Sequence, residues 1–161
     1  MNKAKTSDVV IVGAGLAGAS LALALSGHGL SIQLIEATDL SGSSLPSDRN
    51  LNSFDLRVSA LTPRSIKILE RLGAWDGIKN YRHCAFTHMV VWDADGTGKI
   101  EFDGSLVGAS ELGTIVENRA LVSELLNQIE TREDISLTAS DKLENAVASS
   151  AENMLTITLS S

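Results

Sequence analysis

One cysteine and two prolines in 161 residues exclude several architectures at once. Cys84 alone cannot close an intrachain disulfide or supply a multi-thiolate zinc site, which fits a reducing compartment. With proline only at positions 46 and 63, punctuation of the backbone falls mostly to thirteen glycines. Aromatic residues are sparse at 4%, and Trp75, Tyr81 and Trp92 read as packing residues rather than a surface for stacking bases. Basic residues are outnumbered, 13 Lys and Arg against 20 Asp and Glu, for a net charge of -7. That balance disfavours general attraction to nucleic acid or anionic lipid, so no nucleic-acid partner is expected. Internal repeats and low-complexity tracts are missing too. What remains, 43% hydrophobic and 20% charged, suits a soluble globular protein and excludes disordered, collagen-like and disulfide-scaffold classes.

A long uninterrupted apolar run is also lacking. Lys3 and Lys5 precede an apolar stretch over 9–25 that imitates a secretory signal, but Gly13, Gly15 and Gly18 interrupt it where a signal's core is continuous. Gly27, His28 and Gly29 end it short of the roughly 20 apolar residues that a membrane span needs. No integral membrane segment is expected.

The same stretch has a better reading. Val9-Val10-Ile11-Val12 is a β-branched run without alternation, as in a strand buried on both faces of a parallel sheet. Gly13-Ala14-Gly15-Leu16-Ala17-Gly18 follows, then a Leu- and Ala-rich helix over 16–26. Residues 31–36 form a second strand ending on Glu36. The order of strand, Gly-x-Gly-x-x-Gly, helix, strand and acid is the pattern of a dinucleotide-binding βαβ unit. Gly13 permits the tight turn, and Gly15 lets the backbone approach a pyrophosphate at the positive end of the helix. Gly18 lets helix and sheet pack closely, beside the small Ala19 and Ala22. Glu36, 21 residues beyond Gly15, is spaced to accept hydrogen bonds from ribose hydroxyls and disfavours a 2′-phosphate there. The motif alone does not choose between FAD and NAD.

Residues 37–54 make a long polar loop, a length that marks a ligand-wrapping or mobile segment. Thr62 and Pro63 then open a helix as its cap and first residue, and Ile66, Ile68, Leu69 and Leu72 carry it to Gly73. Further on, 86–92 and 99–102 are expected to pair as a hairpin around the turn Asp93-Ala94-Asp95-Gly96. A short strand over 113–116, an amphipathic helix over 119–129, a strand over 135–137 and an antiparallel pair around 149–153 complete the pattern. His83 and His88 lack a third ligand, Asp93 and Asp95 lack the rest of a calcium loop, and no Gly-x-Ser-x-Gly elbow is present, so no metal site or serine nucleophile is expected.

In family order, VVIVGAGLAGASLALAL, LIE, DLRVSALTPRSIKILERLGAWD, MVVWD and LGTIVENRALVSELL span nearly the whole chain. They resemble the N-terminal part of the FAD-dependent aromatic hydroxylases of ubiquinone biosynthesis, in the para-hydroxybenzoate-hydroxylase-like group of flavin monooxygenases. The resemblance implies an α/β fold in which a Rossmann-like FAD-binding unit is interleaved with the start of an antiparallel substrate-domain sheet. Residues 1–82 would be the first part of the FAD-binding domain, 83–116 the start of that sheet, and 117–161 the return to the FAD-binding domain. A second motif built around Gly-Asp, which relatives carry further on, is not within these residues, so the chain is expected to be the N-terminal part of a longer fold.

By position, the resemblance implies that Gly13, Gly15, Ala17 and Gly18 line the FAD pyrophosphate and that Glu36 meets the adenosine ribose. Arg57 would reach the cofactor's phosphate or ribitol, a task suited to a planar guanidinium; from the residues alone a surface ion pair, with Asp55 nearby, is the favoured reading. Asn118 stands where relatives often carry a Gln or Arg that reaches the cofactor. The implied reaction is hydroxylation of a polyprenylated phenol or quinol with NAD(P)H as transient reductant and oxygen, the flavin supplying the chemistry and the protein the positioning. No catalytic side chain is assigned. The implied setting is the cytoplasm with peripheral contact to the inner membrane face and to a ubiquinone-biosynthesis complex. Two other classes stay open at this point, an NAD-dependent or other dinucleotide oxidoreductase and a non-catalytic remnant.

Overall fold

The computed structural model describes residues 6–41, 44–48, 50–149 and 154–160. In chain order the elements are β1 (Val9–Val12), α1 (Leu16–Leu25), β2 (Ile32–Ile35), β3 (Val58–Leu61), α2 (Pro63–Arg71), α3 (Trp75–Tyr81), β4 (Cys84–Phe86), β5 (His88–Trp92), β6 (Lys99–Asp103), β7 (Gly113–Glu117), α4 (Asn118–Glu130), β8 (Ile135–Thr138), β9 (Lys142–Ser149) and β10 (Met154–Ser160). Contacts gather them into two units, one of Met1–Leu45 with Val122–Ser161 and one of Pro46–Leu121.

The first unit is built on a parallel sheet in the order β1-β2-β8. All four residues of β2 are buried, as the middle strand of such a sheet requires. The expectation of burial on both faces fails for β1: Ile11 is buried, whereas Val10 is partly open and Val12 is 55% exposed. This strand lies at the edge of a three-stranded sheet, so its side chains lack the neighbours that β8 gives to β2. Helix α1 ends where Ser26 N–H still reaches Ala22 O, and Asp134 then accepts from Ser26 Oγ at 2.8 Å and Gly27 N–H at 2.7 Å. The turn before β8 is thereby tied to the end of α1. Leu125, Leu126 and Ile129 of α4 are buried, as its amphipathic pattern implies. β9 and β10 form the expected antiparallel pair, with Met154 opposite Ser149; most of its anticipated turn lies outside the described residues.

The second unit holds an antiparallel sheet in the order β3-β7-β4 and the β5-β6 hairpin. Thr62 caps α2 by accepting the Ser65 N–H at 3.2 Å, with Pro63 in the first position. Ile66 and Leu69 of α2, and Trp75, Ile78 and Tyr81 of α3, are buried. Helix α3 is too short, and with Gly77 too poor in helix formers, to stand out by periodicity.

Two expectations are corrected here. Residues 86–92 are not one strand: Phe86 ends β4 and pairs with Gly113, while Thr87 O accepts the Gly104 N–H at 2.9 Å and separates the two ladders. Trp92 is 70% exposed on the hairpin and so is not a packing residue, unlike Trp75 and Tyr81. No helix among the described residues is long and apolar enough to cross a membrane.

Candidate functional site: a glycine loop held by an acid

The end of β1 turns through Gly13 at φ +100°, a value that L side chains rarely adopt. Its N–H donates to Ile35 O at 2.7 Å, fixing the turn against the end of β2. The glycines beyond it differ in purpose. A Cβ on Gly18 would stand 1.9 Å from Gly13 O and 3.3 Å from Ile11 Cγ2, so the close approach of α1 to β1 depends on its absence. A Cβ on Gly15 would meet nothing within 4 Å. Gly15 is the N-cap residue of α1 and offers no side-chain cap, which leaves first-turn N–H groups for an outside acceptor. Gly15 and Ala17 are exposed, and Gly13 and Gly18 half-buried.

Glu36, just past β2, faces this loop. Its Oε2 accepts the Ala14 N–H at 2.8 Å, and its Oε1 accepts the Thr38 N–H at 2.9 Å and the Thr38 hydroxyl. The Thr38 hydroxyl, the Thr38 N–H and the Ala14 N–H together hold the Glu36 carboxyl below its ordinary range, outweighing partial burial. An ionised carboxylate with two oxygens has lone pairs beyond these three donors. Open backbone at Gly15, an uncapped helix start and an accepting carboxylate fit a dinucleotide whose pyrophosphate lies at the helix and whose ribose meets the acid.

Arg57 and Asn118 belong to the second unit. The Arg57 side chain is exposed and makes no hydrogen bond or ion pair among the described residues. The alternative reading of a salt bridge with Asp55 is therefore not realised: Asp55 Oδ1 accepts the Arg57 backbone N–H at 3.1 Å instead. Asn118 opens α4, and its Oδ1 accepts from Ser59 Oγ at 2.6 Å.

Sequence reasoning passed over the acid beside Asn118. Glu117 is 3% exposed and is held by Arg82 Nη1 at 2.9 Å, by Arg119 Nε and Nη2 at 2.9 and 2.7 Å, and by the Asp55 N–H at 2.9 Å. Burial works against its charge, but the Arg119 bonds, the Asp55 N–H and Arg82 prevail and keep its carboxyl below the ordinary range. Arg82 also donates to Ser53 O and Oγ at 3.2 and 2.6 Å and lies 4.2 Å over the Phe54 ring. A buried acid held by an arginine 35 residues earlier in the chain leaves no local signal of that pairing. Thr38 was likewise passed over, since a hydroxyl in a polar loop carries no periodicity.

His83 Nδ1 contacts Lys79 O, His88 stands 3.9 Å from an Asp103 oxygen, and no group of three potential metal ligands occurs among the described residues.

A parallel βαβ unit with an acid-held glycine loop defines a dinucleotide-binding protein of the Rossmann-like class. More narrowly, residues 8–138 match the FAD dependent oxidoreductase family, and the chain belongs to that family. Over 131 residues it is 37% identical to the human mitochondrial ubiquinone biosynthesis monooxygenase COQ6, covering 79% of this chain and 27% of that protein. It is 29% identical to 3-demethoxyubiquinol 3-hydroxylase of Escherichia coli, covering 81% of this chain and 32% of the relative. The chain thus spans about a quarter to a third of the length of these relatives. Among solved structures, Pseudomonas aeruginosa PqsL, a probable FAD-dependent monooxygenase, aligns with a TM-score of 0.70 at 18% identity, over 95% of this chain and 38% of the other. Aklavinone-11 hydroxylase, in a ternary complex with FAD and aklavinone, aligns with a TM-score of 0.65 at 20% identity, over 99% and 30%. Both are likenesses of fold.

Proposed function

We propose that the chain is the N-terminal part of an FAD-dependent monooxygenase that hydroxylates the aromatic ring of a polyprenylated phenol or quinol in ubiquinone biosynthesis. The observation that carries this reading is the Glu36 carboxylate fixed beside the open backbone of Gly15, in a chain whose relatives include ubiquinone-pathway monooxygenases. Gly13, Gly15, Ala17 and Gly18 present backbone to the FAD pyrophosphate. Glu36 accepts from the adenosine ribose while bracing the loop through Ala14. Arg57 supplies a cation to the cofactor's phosphate or ribitol, and Asn118 a polar contact at the start of α4. The flavin, when bound, supplies the redox chemistry that joins NAD(P)H and oxygen to ring hydroxylation.

The domain reading goes with this function: 1–82 and 117–161 serve the cofactor, and 83–116 begins the substrate sheet. Met89, Val91, Ile100 and Phe102 share one exposed apolar face of the β5-β6 hairpin, which fits a sheet face with something to cover it. The proposal extends to a setting: a prenylated substrate would draw the enzyme from the cytoplasm to a peripheral position at the inner membrane face, where it would meet a ubiquinone-biosynthesis complex.

The test is the absorbance spectrum of the purified chain with and without added FAD, followed by release of flavin on denaturation. Near-equal stoichiometry, lost in Gly15→Asp and Glu36→Ala, is the expected result. A folded chain that takes up nicotinamide dinucleotide but no flavin refutes the assignment.

A further inference from the structure

Three arginines cluster in sequence or space around Glu117, and the structure treats them differently. Arg82 and Arg119 are committed to the buried Glu117 carboxylate, and both also donate to Ser53 O. Their positive charge is neutralised within the fold. The Arg57 guanidinium alone of the three has no such partner among the described residues.

Its backbone, in contrast, is held on both sides. Glu117 Oε2 accepts the Asp55 N–H at 2.9 Å. Asp55 in turn accepts the Arg57 N–H on Oδ1 at 3.1 Å and the Arg119 N–H on Oδ2 at 3.2 Å. The Asn118 N–H donates to Arg57 O at 3.0 Å, and the next residue, Val58, pairs with Glu117 in the β3-β7 ladder. Asp55, the nearest acid in sequence, feels the Arg57 charge, but its oxygens bond backbone N–H groups and form no ion pair with the guanidinium. A guanidinium on a fixed backbone loses less freedom on meeting an anion than one on a loose loop.

We infer that Glu117 is a positioning residue: acting through Asp55, it fixes the backbone from which Arg57 is presented to the phosphate of FAD. This rests on the proposed function and adds to it a residue that touches no cofactor atom. It predicts that Glu117 and Arg57 contribute to flavin affinity as one unit.

The experiment is a double-mutant cycle on the complete 161-residue chain, titrated with FAD at fixed ionic strength, with the urea midpoint of each variant recorded. Arg57→Gln is expected to weaken binding by about tenfold or more, as loss of a charge-assisted contact does. Glu117→Gln weakens it by a similar factor, yet Arg57→Gln/Glu117→Gln binds within about twofold of Arg57→Gln alone, because the effect of Glu117 travels through Arg57. A purely structural Glu117 gives losses that multiply, and that result overturns the inference. If Glu117→Gln does not fold, Asp55→Ala replaces it in the cycle, with the same two outcomes. Unchanged affinity in Arg57→Gln overturns the inference while leaving the FAD assignment intact. Failure of the unaltered, folded chain to bind FAD overturns the inference and independent cofactor binding by these residues, while membership of the family stands.

Discussion

The two glycines at the start of α1 should fail in opposite ways when given a methyl group. At Gly18 the new Cβ would fall 1.9 Å from Gly13 O and 3.1 Å from Gly13 C. A carbon and a carbonyl oxygen need more than 3 Å, so over 1 Å of movement is required, and the obstacle is backbone rather than a flexible side chain. Gly13 O cannot simply yield, because Gly13 N–H is fixed to Ile35 O and Ala14 N–H to Glu36. Overpacking costs roughly 1–3 kcal/mol where side chains can adjust, and a backbone clash belongs at or beyond the upper end. The gain from replacing a helical Gly by Ala, about 1 kcal/mol, offsets only part. A net loss of about 2–3 kcal/mol is expected for Gly18→Ala, read as a fall in urea midpoint or a drop in Tm of roughly 5–10 °C. Gly15→Ala places its methyl in open space at φ -72°, so stability should change by no more than about 1 kcal/mol, the usual span for a change at an N-cap. Its FAD affinity should nevertheless fall, since the methyl occupies the approach of the pyrophosphate. Equal stability of Gly18→Ala and the unaltered chain would refute the close-packing argument. A marked instability of Gly15→Ala would refute the claim that this glycine is kept open for a ligand.

Other outcomes follow from the same contacts. Glu117→Ala leaves Arg82 and Arg119 without their buried partner and should cost about 3 kcal/mol or more, measured by urea denaturation followed by circular dichroism. Thr62→Ala removes the cap of α2 and should cost about 1 kcal/mol, with Thr62→Ser recovering most of it. The lowered carboxyls of Glu36 and Glu117 contribute stability that is complete above the ordinary glutamate value of 4.5 and is lost as pH falls through their depressed folded values. Urea midpoints should therefore be flat from neutral pH to about 5 and decline below 4. Glu36→Gln should flatten part of that decline, and a slope unaltered by the substitution would show that Glu36 is not among its sources.

The βαβ unit was legible because each of its signals is local. Glycine spacing, an Ala- and Leu-rich helix and an acid at the strand end occur within residues 9–36 and reappear as β1, α1 and β2. The capped helix α2 was legible for the same reason, with Thr62 and Pro63 adjacent to the turn that they shape. Burial was less so. β1 and β2 are both short and apolar, yet only the strand with neighbours on both sides is fully buried, and neighbours belong to topology. Trp92 departs from the packing expectation because an aromatic in a strand is buried only when something covers its face. At the site, Glu36 was legible as an acid for a ribose, but its grip on Ala14 was not, because that bond depends on how closely β1 and β2 lie. Glu117 was hidden altogether: its arginines come from α3's end and α4's start, and only the fold brings Arg82 to Glu117.

Glu36 and Glu117 invite comparison, because each closes a strand and each holds a preceding loop by one backbone N–H: Ala14 for Glu36, Asp55 for Glu117. Their remaining partners divide their roles. Glu36 meets one hydroxyl and two N–H groups, carries no guanidinium, and is half-buried, so its charge stays directed at whatever approaches the glycine loop. Glu117 meets two guanidiniums and is almost sealed, so its charge is spent inside the protein. An amide at position 36 keeps one accepting oxygen, turns the other into a donor, and loses the negative charge that favours ribose hydroxyls and repels a 2′-phosphate. Glu36→Gln should accordingly weaken FAD binding while leaving the chain folded at neutral pH. Glu117→Gln leaves two buried cations facing a neutral amide and should lower the urea midpoint more than Glu36→Gln does. If Glu36→Gln lowers the urea midpoint at neutral pH more than Glu117→Gln does, the assignment of one acid to ligand and the other to scaffold is wrong.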